Sequence, residues 1–213
     1  MRYYIAANAL SGCKRGDKRA REYSYHLNSM GIEHVLELHS DIFALKKAAA
    51  DACSDFDRVV AMGGDGTINA VANAMYSLSG SAIPMGVLYS GTSPDFCRFH
   101  DIPIEPEAAC ERLREDEVSR ADVCECRDSK GHKRIFVCSS NIGIGWGVAT
   151  RSNRMRNWAG DTCGTFLALV YSVLRDRICE YSICIDGQDV FNGPALNVTV
   201  GKNPYIASGL KLS

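Results

Sequence analysis

The residues best suited to chemistry lie in a glycine-rich loop, Gly63-Gly64-Asp65-Gly66-Thr67. The loop follows a strand pattern over residues 58–62 and leads into a helix pattern over residues 67–76. Glycines let the backbone approach phosphate oxygens closely and adopt positive φ angles. The first turn of a helix adds unpaired N–H groups and a partial positive charge. The loop therefore predicts a phosphate-binding site, and the alternative is a tight strand-to-helix turn that binds nothing.

Asp65 is the acidic residue in this loop, and its charge would repel a phosphate. The roles that suit a carboxylate beside phosphates are holding Mg²⁺, directly or through water, and accepting a proton from an attacking hydroxyl. Thr67 can cap the helix or hydrogen-bond to a phosphate oxygen. We therefore predict that Asp65 is both a catalytic residue and a metal ligand.

Two more turns rich in small polar residues follow other strand patterns. Asn8-Ala9-Leu10-Ser11-Gly12 follows the first strand, and Ser90-Gly91-Thr92-Ser93-Pro94-Asp95-Phe96 follows the fourth. Thr92 or Ser93 could contact a phosphate or a ribose, whereas a plain turn with Asp95 capping the next helix is the alternative. Parallel strands end at one edge of a sheet, where such folds bind their ligands. The three turns are therefore expected to meet in one crevice.

The first half of the chain alternates strands and helices. Strand patterns cover residues 3–7, 35–38, 58–62 and 85–89, and apolar residues at spacings of three and four mark helices between them. This order is typical of an α/β fold with a doubly wound, mainly parallel sheet.

The second half is predicted to be β-rich. Strand patterns cover residues 134–139, 181–185 and 196–200, Asp186-Gly187 suits a hairpin turn, and a helix pattern covers residues 162–175. A further segment contains three glycines, Asn141-Ile142-Gly143-Ile144-Gly145-Trp146-Gly147. It is either a structural bend or a place where the glycines permit close packing of the domains near the site. We predict a domain boundary near residues 120–130, with a nucleotide-binding α/β domain over residues 1–125 and a β-rich domain over residues 126–213.

The composition indicates an ordinary globular protein. The net charge is −1, with 24 basic and 25 acidic residues, so the charge balance does not indicate nucleic acid as a partner. The ten cysteines include no CxxC pair, which argues against zinc and suggests reduced thiols in a cytoplasmic protein. The amino terminus opens directly into a strand pattern without a signal peptide, and the longest apolar run has about half the ~20 residues of a membrane span.

The ordered set of motifs resembles the diacylglycerol kinase catalytic family, in its soluble bacterial lipid-kinase form. The GGDGT loop is the family's hallmark, and the turn at Asn8 is similar to its NPxSG turn. The similarity continues, in order, through the segments GTSPDFCR, NIGIG, VGKNPY and SGLKL, which begin at Gly91, Asn141, Val200 and Ser208. The GGDGT loop also occurs in NAD kinases, which leaves an NAD-kinase-like enzyme as an alternative.

The resemblance implies an enzyme that binds ATP between an α/β nucleotide domain and a β-sandwich-like substrate domain, the latter expected over residues 126–213 and incomplete there. It implies transfer of the γ-phosphoryl group, with Mg²⁺, to a lipid hydroxyl at a membrane surface, typically that of diacylglycerol. Carried over by position, the nucleotide contacts are Asn8, Ala9, Leu10, Ser11, Gly12, Gly63, Gly64, Asp65, Gly66, Thr67, Ile68, Asn69 and Thr92.

The sequence departs from the family pattern at several places. Ala9 replaces a proline, Ala70 a glutamate and Pro94 an asparagine. The chain ends at Ser213, whereas the family carries a further Mg²⁺-binding acidic motif and a proposed general base beyond this point. We therefore expect either a piece of a longer kinase or a non-catalytic nucleotide-binding module. An incomplete sandwich would leave open strand edges, from which a homodimer is expected.

Overall fold

The computed structural model describes residues 1–78, 83–144, 147–148, 150–151, 155, 161–206 and 210–211. The chain divides into two compact units, one formed by Met1–Cys138 with Lys202–Ser213 and the other by Ser139–Gly201. The sequence predicts a different kind of boundary at residue 125, between two parts that fold independently. That boundary stays a prediction.

The first unit alternates strands and helices through its first 115 residues. Its elements are β1 (Tyr3–Asn8), α1 (Ser11–Lys14), α2 (Gly16–Ser29), β2 (His34–His39), α3 (Ile42–Ala52), β3 (Arg58–Gly63), α4 (Asp65–Tyr76), β4 (Met85–Tyr89), α5 (Asp95–Phe99), α6 (Pro106–Glu115), β5 (Cys124–Arg127) and β6 (Lys133–Phe136). Two short strands, β11 (Tyr205–Ile206) and β12 (Leu210–Lys211), also belong to this unit.

Four strands form a parallel sheet in the order β2-β1-β3-β4. Side chains alternate between its faces: Tyr4 and Ala6 lie in one apolar cluster, and Tyr3, Ile5 and Ala7 lie in the other. Helices α3 and α4 cover the first face, and α2 and α6 cover the second. The structure therefore confirms the doubly wound, mainly parallel α/β sheet.

The β5–β6 hairpin is held to α4 by two asparagine side chains. The Asn73 side chain accepts from the N–H of Ile135 at 2.9 Å and donates to the Ile135 carbonyl at 2.8 Å. One turn earlier, Asn69 Oδ1 accepts from the N–H of Val137 at 3.3 Å. The strand expected over residues 134–139 is divided, because β6 ends at Phe136 and a new strand begins at Ser139.

The described part of the second unit contains antiparallel strands and a long helix, besides shorter helical stretches between residues 144 and 155. Its elements are β7 (Ser139–Gly143), α7 (Asp161–Arg175), β8 (Cys179–Ile185), β9 (Gln188–Ala195) and β10 (Asn197–Gly201). Strand β10 pairs with β7, and β8 pairs with β9. The turn between β8 and β9 is Asp186-Gly187 with both φ angles positive, which confirms the predicted hairpin. Gly145 and Trp146 of the glycine-containing segment lie outside the described residues.

No helix in the described ranges has the length and apolar character needed to cross a bilayer. Eight cysteines of the described part are free thiols.

Candidate functional site

The three predicted turns meet at the carboxyl edge of the parallel sheet. Asn8, Gly63 and Tyr89 are the last residues of β1, β3 and β4, and these strands are neighbours in register. The turns that follow these strands are in direct contact with one another. The sequence therefore predicted the meeting of these turns correctly.

Asn8 joins the first turn to the glycine loop. Its side-chain nitrogen donates to Thr67 Oγ1 at 2.9 Å, and its Oδ1 accepts from the N–H of Leu10 at 3.0 Å. Thr67 is buried, with only 4% of its surface exposed. The contact between Asn8 and Thr67 therefore sets the position of the first turn relative to the start of α4.

Ser11 joins the first turn to the turn after β4. Its hydroxyl donates to the carbonyl of Asn8 at 2.9 Å and lies 2.7 Å from Ser90 Oγ. Gly12 follows with φ +55°, and a Cβ there would lie 2.5 Å from the Ser90 carbonyl oxygen. Only glycine satisfies both the left-handed backbone and this close approach.

The glycine loop also contacts the turn after β4 directly. A Cβ on Gly91 would lie 2.5 Å from the Cα of Gly64, so the two backbones are in van der Waals contact. Gly66 differs, because nothing lies within 4 Å of the position of its Cβ, and it is exposed. The loop is thus tightly packed on one side and open at Gly66.

The first turn of α4 presents backbone N–H groups at this opening. Helix α4 begins at Asp65, with Gly64 as its N-cap. The N–H groups of Thr67 and Ile68 donate to the Gly64 carbonyl at 2.8 and 3.0 Å. Helix geometry offers the N–H groups of Asp65 and Gly66 no acceptor within the helix, and the helix end carries partial positive charge. An anion such as a phosphate is the ligand that suits this end.

Asp65 lies beside a second carboxyl group. Burial, and then the negative charge of Asp95, raise the pKa of Asp65 to about 6, while hydrogen bonds from the backbone of Phe96 and Asp95 act in the opposite direction. Asp65 Oδ1 is buried and has no hydrogen-bond partner among the described residues. Asp95 is 5% exposed and receives a hydrogen bond from Arg98 at 3.3 Å. The pair forms a negative, partly dehydrated corner next to the helix end.

The other predicted contact residues differ in their exposure and in their contacts within the protein. Ile68 is fully buried in the apolar core, and the Asn69 side chain contacts the backbone of Val137. Leu10 and Thr92 are exposed, Ala9 is partly exposed, and Thr92 has a partner within the structure. Their contacts with a nucleotide stay predictions.

Several residues of the site were not predicted as site residues. Ser90 and Asp95 lie in the turn after β4, and the sequence assigned them at most turn and capping roles. Cys97 is fully buried, and burial together with the charge of Asp65 raises the pKa of its thiol to about 12. The signal that could have identified Asp95 is its position six residues after the end of β4, at the same sheet edge as Asp65.

Among the described residues, no group of three or more His, Cys, Asp and Glu side chains could hold a metal ion. Asp65 and Asp95 together supply two carboxylates, and the free Oδ1 of Asp65 is a hard oxygen ligand. Mg²⁺ is commonly bound by one or two carboxylates with water and phosphate oxygens. The residues present therefore fit a Mg²⁺ ion that takes its remaining ligands from water and phosphate.

Comparisons with known proteins identify the family of this chain. Residues 2–126 match the family model of the diacylglycerol kinase catalytic domain. A diacylglycerol kinase of Mycobacterium tuberculosis (strain CDC 1551 / Oshkosh) is 28% identical over 184 residues, which cover 85% of this chain and 58% of that protein. An Enterobacter sp. (strain 638) protein named "Probable lipid kinase YegS-like" is 25% identical over 207 residues, covering 95% of this chain and 67% of that protein.

Solved structures show the same fold. The crystal structure of a diacylglycerol kinase from Bacillus anthracis str. Sterne superposes with a TM-score of 0.67 at 19% identity, covering 100% of this chain and 66% of that one. The chain thus spans only 58% of the mycobacterial protein's length and about two thirds of the others. With the family model matching more than half of its residues, the chain belongs to the diacylglycerol kinase catalytic-domain family.

Proposed function

We propose that this chain is the nucleotide-binding part of an ATP-dependent lipid kinase, with the ATP phosphates at the carboxyl edge of the sheet. One observation carries the proposal. The turns after β1, β3 and β4 are tied together around the start of α4 by the Asn8–Thr67 and Ser11–Ser90 contacts. Three turns held in this way keep a helix end and an open glycine in place before any ligand arrives, which lowers the entropic cost of binding.

The backbone around Gly66 would contact the phosphates. Gly66 is exposed with open space around it, and the adjacent N–H groups point out of the helix end. Thr67 Oγ1 accepts from Asn8, so its hydroxyl proton is available for a phosphate oxygen or for a local acceptor. Asn8, Ser11 and Ser90 support the loop from behind, and their removal should weaken binding indirectly.

Asp65 and Asp95 would hold Mg²⁺ between them and the phosphates. Mg²⁺ supplies positive charge that offsets the charge of the transferred phosphoryl group. With the metal bound, its charge favours the ionised form of Asp65 and counteracts the effect of burial on the pKa. Asp65 is also the residue that we propose as acceptor of a proton from the attacking hydroxyl.

The test of nucleotide binding is thermal unfolding of the chain with and without ATP and Mg²⁺. At a ligand concentration about 100 times Kd, binding stabilises the folded state by about 2.7 kcal/mol. For a chain of this size that corresponds to a Tm increase of about 5–10 °C. Asp65→Asn should remove most of the increase, whereas Asp55→Asn, an exposed carboxylate outside the site, should keep it. An unchanged Tm of the unsubstituted chain at saturating ATP and Mg²⁺ would refute the proposal.

The acceptor is proposed to be a lipid hydroxyl, with diacylglycerol as the first choice. The assay offers diacylglycerol, a sphingoid base and NAD in parallel and follows transfer of the γ-phosphoryl group. Phosphorylated lipid is the expected product, and phosphorylated NAD would favour the NAD-kinase-like alternative. Nucleotide binding without ADP production from any acceptor would favour the non-catalytic module instead.

A lipid acceptor implies that the protein works at a bilayer surface while otherwise residing in the cytoplasm. We propose peripheral association for this reason, and co-sedimentation with diacylglycerol-containing vesicles is its test. The expected homodimer is tested by the molar mass in solution, and a monomer at high concentration would argue against it.

A further inference from the structure

A second concave site lies within the first unit, along the outer edge of β4. Its volume is about 550 Å³, within the range of about 300–1,000 Å³ that is typical of ligand pockets. The lining includes Tyr3, Arg58 and Met85, the first residues of β1, β3 and β4. The cavity therefore reaches the amino ends of the strands, opposite to the glycine loop, and is distinct from the proposed phosphate site.

The walls of this cavity are predominantly apolar. Met75, Met85, Phe96, Ile102, Leu113 and Ile135 contribute side chains from α4, β4, α5, α6, β6 and the loop after α5. Among the described strands, β4 has a single neighbour in the sheet, β3, and no described strand covers its other edge. Folded interiors are close-packed, and an apolar space of this size facing water is unfavourable unless an apolar group fills it.

The outer wall is a segment without helix or strand. Residues 117–123 are all exposed, and Val118, Ser119, Arg120 and Ala121 line the cavity. A segment held by few buried contacts opens at low free-energy cost. A ligand can therefore reach the cavity from solvent past this segment.

The charged groups of the lining are paired, with one exception in the described part of the chain. Arg58 donates two hydrogen bonds to Asp116, at 3.0 and 2.8 Å, and Arg112 pairs with Glu117. Arg120 has no ion pair there and lies at the solvent side. His100 lines the cavity as well, and its Nε2 is buried without a hydrogen-bond partner among the described residues. The unpaired cation at the mouth favours a ligand with an anionic end.

We propose that this cavity binds a single acyl chain with an anionic head group, the chain against Met85, Phe96 and Leu113 and the head near Arg120. Both a free fatty acid and a lysophospholipid have this chemistry. The cavity shares Phe96 with the turn beside the nucleotide crevice, where the Phe96 backbone donates a hydrogen bond to Asp65, but binding of an acyl chain does not require the proposed kinase function.

Binding is tested with the 213-residue chain and cis-parinaric acid, a fluorescent fatty acid, below its micellar concentration. Saturable fluorescence at one probe per chain is expected, with competition by oleate and by lysophosphatidic acid. A difference between these two competitors identifies a carboxylate or a phosphate as the preferred head. Oleyl alcohol, which has the same chain without charge, should compete about fivefold less well or worse, a loss of about 1 kcal/mol.

Two substitutions with matched controls locate the site. Ala121→Trp places a large ring at the mouth and should weaken probe binding about tenfold or more, whereas Val123→Trp, outside the lining on the same exposed segment, should change it less than about twofold. Arg120→Glu should weaken binding of oleate about fivefold, and Arg114→Glu, an exposed arginine outside the lining, should not. Far-UV circular dichroism and Tm verify that each variant is folded.

Three results would overturn the proposal. The first is the absence of saturable probe binding to the unsubstituted chain. The second is equal affinity of folded Ala121→Trp and Val123→Trp, which would place the probe elsewhere. The third is equal competition by oleyl alcohol and oleate, which would remove the anionic head from the proposal.

Discussion

The two ends of strand β3 are built in opposite ways. At its amino end, Arg58 and Asp116 form a doubly hydrogen-bonded ion pair whose side chains are 19% and 25% exposed. At its carboxyl end, Gly63 leads into Asp65, which faces another carboxyl group and keeps one buried oxygen without a partner among the described residues. The first end has its charges neutralised, whereas the second retains unpaired polar groups. Such unpaired groups are costly for folding and useful for binding.

In this sheet, the amino end of β3 contributes to stability, whereas its carboxyl end forms part of the candidate site. In open α/β sheets, ligands bind outside the carboxyl ends of the strands, where loops rather than packed elements meet. The Arg58–Asp116 pair connects β3 to the end of α6 and supports the fold. Burial, and then the charge of Asp95, disfavour the ionised form of Asp65 in the unliganded chain, whereas a bound cation would favour it. Three substitutions test this difference between the two ends.

Gly91→Ala should have the largest effect. The added methyl group would lie 2.5 Å from Gly64 Cα and 2.6 Å from the Tyr89 hydroxyl, so the glycine loop and its neighbouring turn must separate. We expect a loss of about 2–4 kcal/mol in the free energy of unfolding and no Tm increase with ATP. Urea unfolding and thermal scans measure both.

Gly66→Ala is the matched control for this substitution. Nothing lies within 4 Å of its added methyl group, and alanine is the better helix former, so stability should be unchanged or higher by up to about 1 kcal/mol while ATP binding weakens. If both glycine variants lost stability equally, the distinction between a packed and an open side of the loop would be wrong.

Arg58→Met should have the next largest effect and should act on stability alone. It leaves Asp116 partly buried without its cation, and we expect a loss of about 1–3 kcal/mol in the free energy of unfolding. The ATP-dependent Tm increase should remain, because the substitution lies at the other end of the strand. The double variant Arg58→Met, Asp116→Asn should lose less than the sum of the single variants, as a double-mutant cycle would measure. Loss of the ATP effect in folded Arg58→Met would mean that the two ends are not separate.

Among the three substitutions, Asp65→Asn should change the stability of the unliganded chain least, and the change should be stabilising. The pKa of Asp65 is raised in the folded state to about 6 from its ordinary 3.8, so the folded chain binds the proton more tightly than the unfolded chain. Ionisation of Asp65 therefore costs stability as pH rises from about 4 to 6, and the full cost applies above pH 6. A difference of about two pKa units corresponds to about 3 kcal/mol at most, and solvent screening of this partly exposed side chain reduces it. Without nucleotide or divalent metal, the variant should therefore be more stable by about 1–2 kcal/mol at pH 7.5 and by little at pH 4.

The corresponding measurement is urea unfolding of both chains at several pH values. A gain that is independent of pH would contradict ionisation of Asp65 as its cause. The same series with Mg²⁺ should reduce the difference between the chains, because the cation favours the carboxylate.

Sequence patterns predicted the fold of the first unit well, because its buried strands and amphipathic helices have clear periodicities. The four strands of the sheet and the hairpin at Asp186-Gly187 lie where they were expected. The boundaries were less accurate where local signals compete. Helix α4 begins at Asp65 rather than Thr67, and β6 ends at Phe136 while the apolar pattern continues into Val137.

The candidate site was predicted in outline but not in its contacts. Periodicity and turn composition do not specify which side chains across 59 residues of sequence will meet, as Asn8 and Thr67 do. Asn69 is an example. An asparagine after a glycine loop suits a nucleotide contact, yet its side chain accepts a hydrogen bond from the N–H of Val137, directly after β6. Such long-range partners depend on how the elements pack.

The sequence by itself determined the chemistry of the glycine loop, the alternation of strands and helices, and the family motifs. These are local properties, since glycine conformation, helix ends and hydrophobic periodicity act over a few residues. The tertiary structure was needed to establish that Asp95 lies beside Asp65, that Gly91 contacts Gly64, and that a cavity follows the outer edge of β4. The physical reason is that charge, desolvation and packing depend on distances in space, and folding sets these distances between residues that are far apart in the chain.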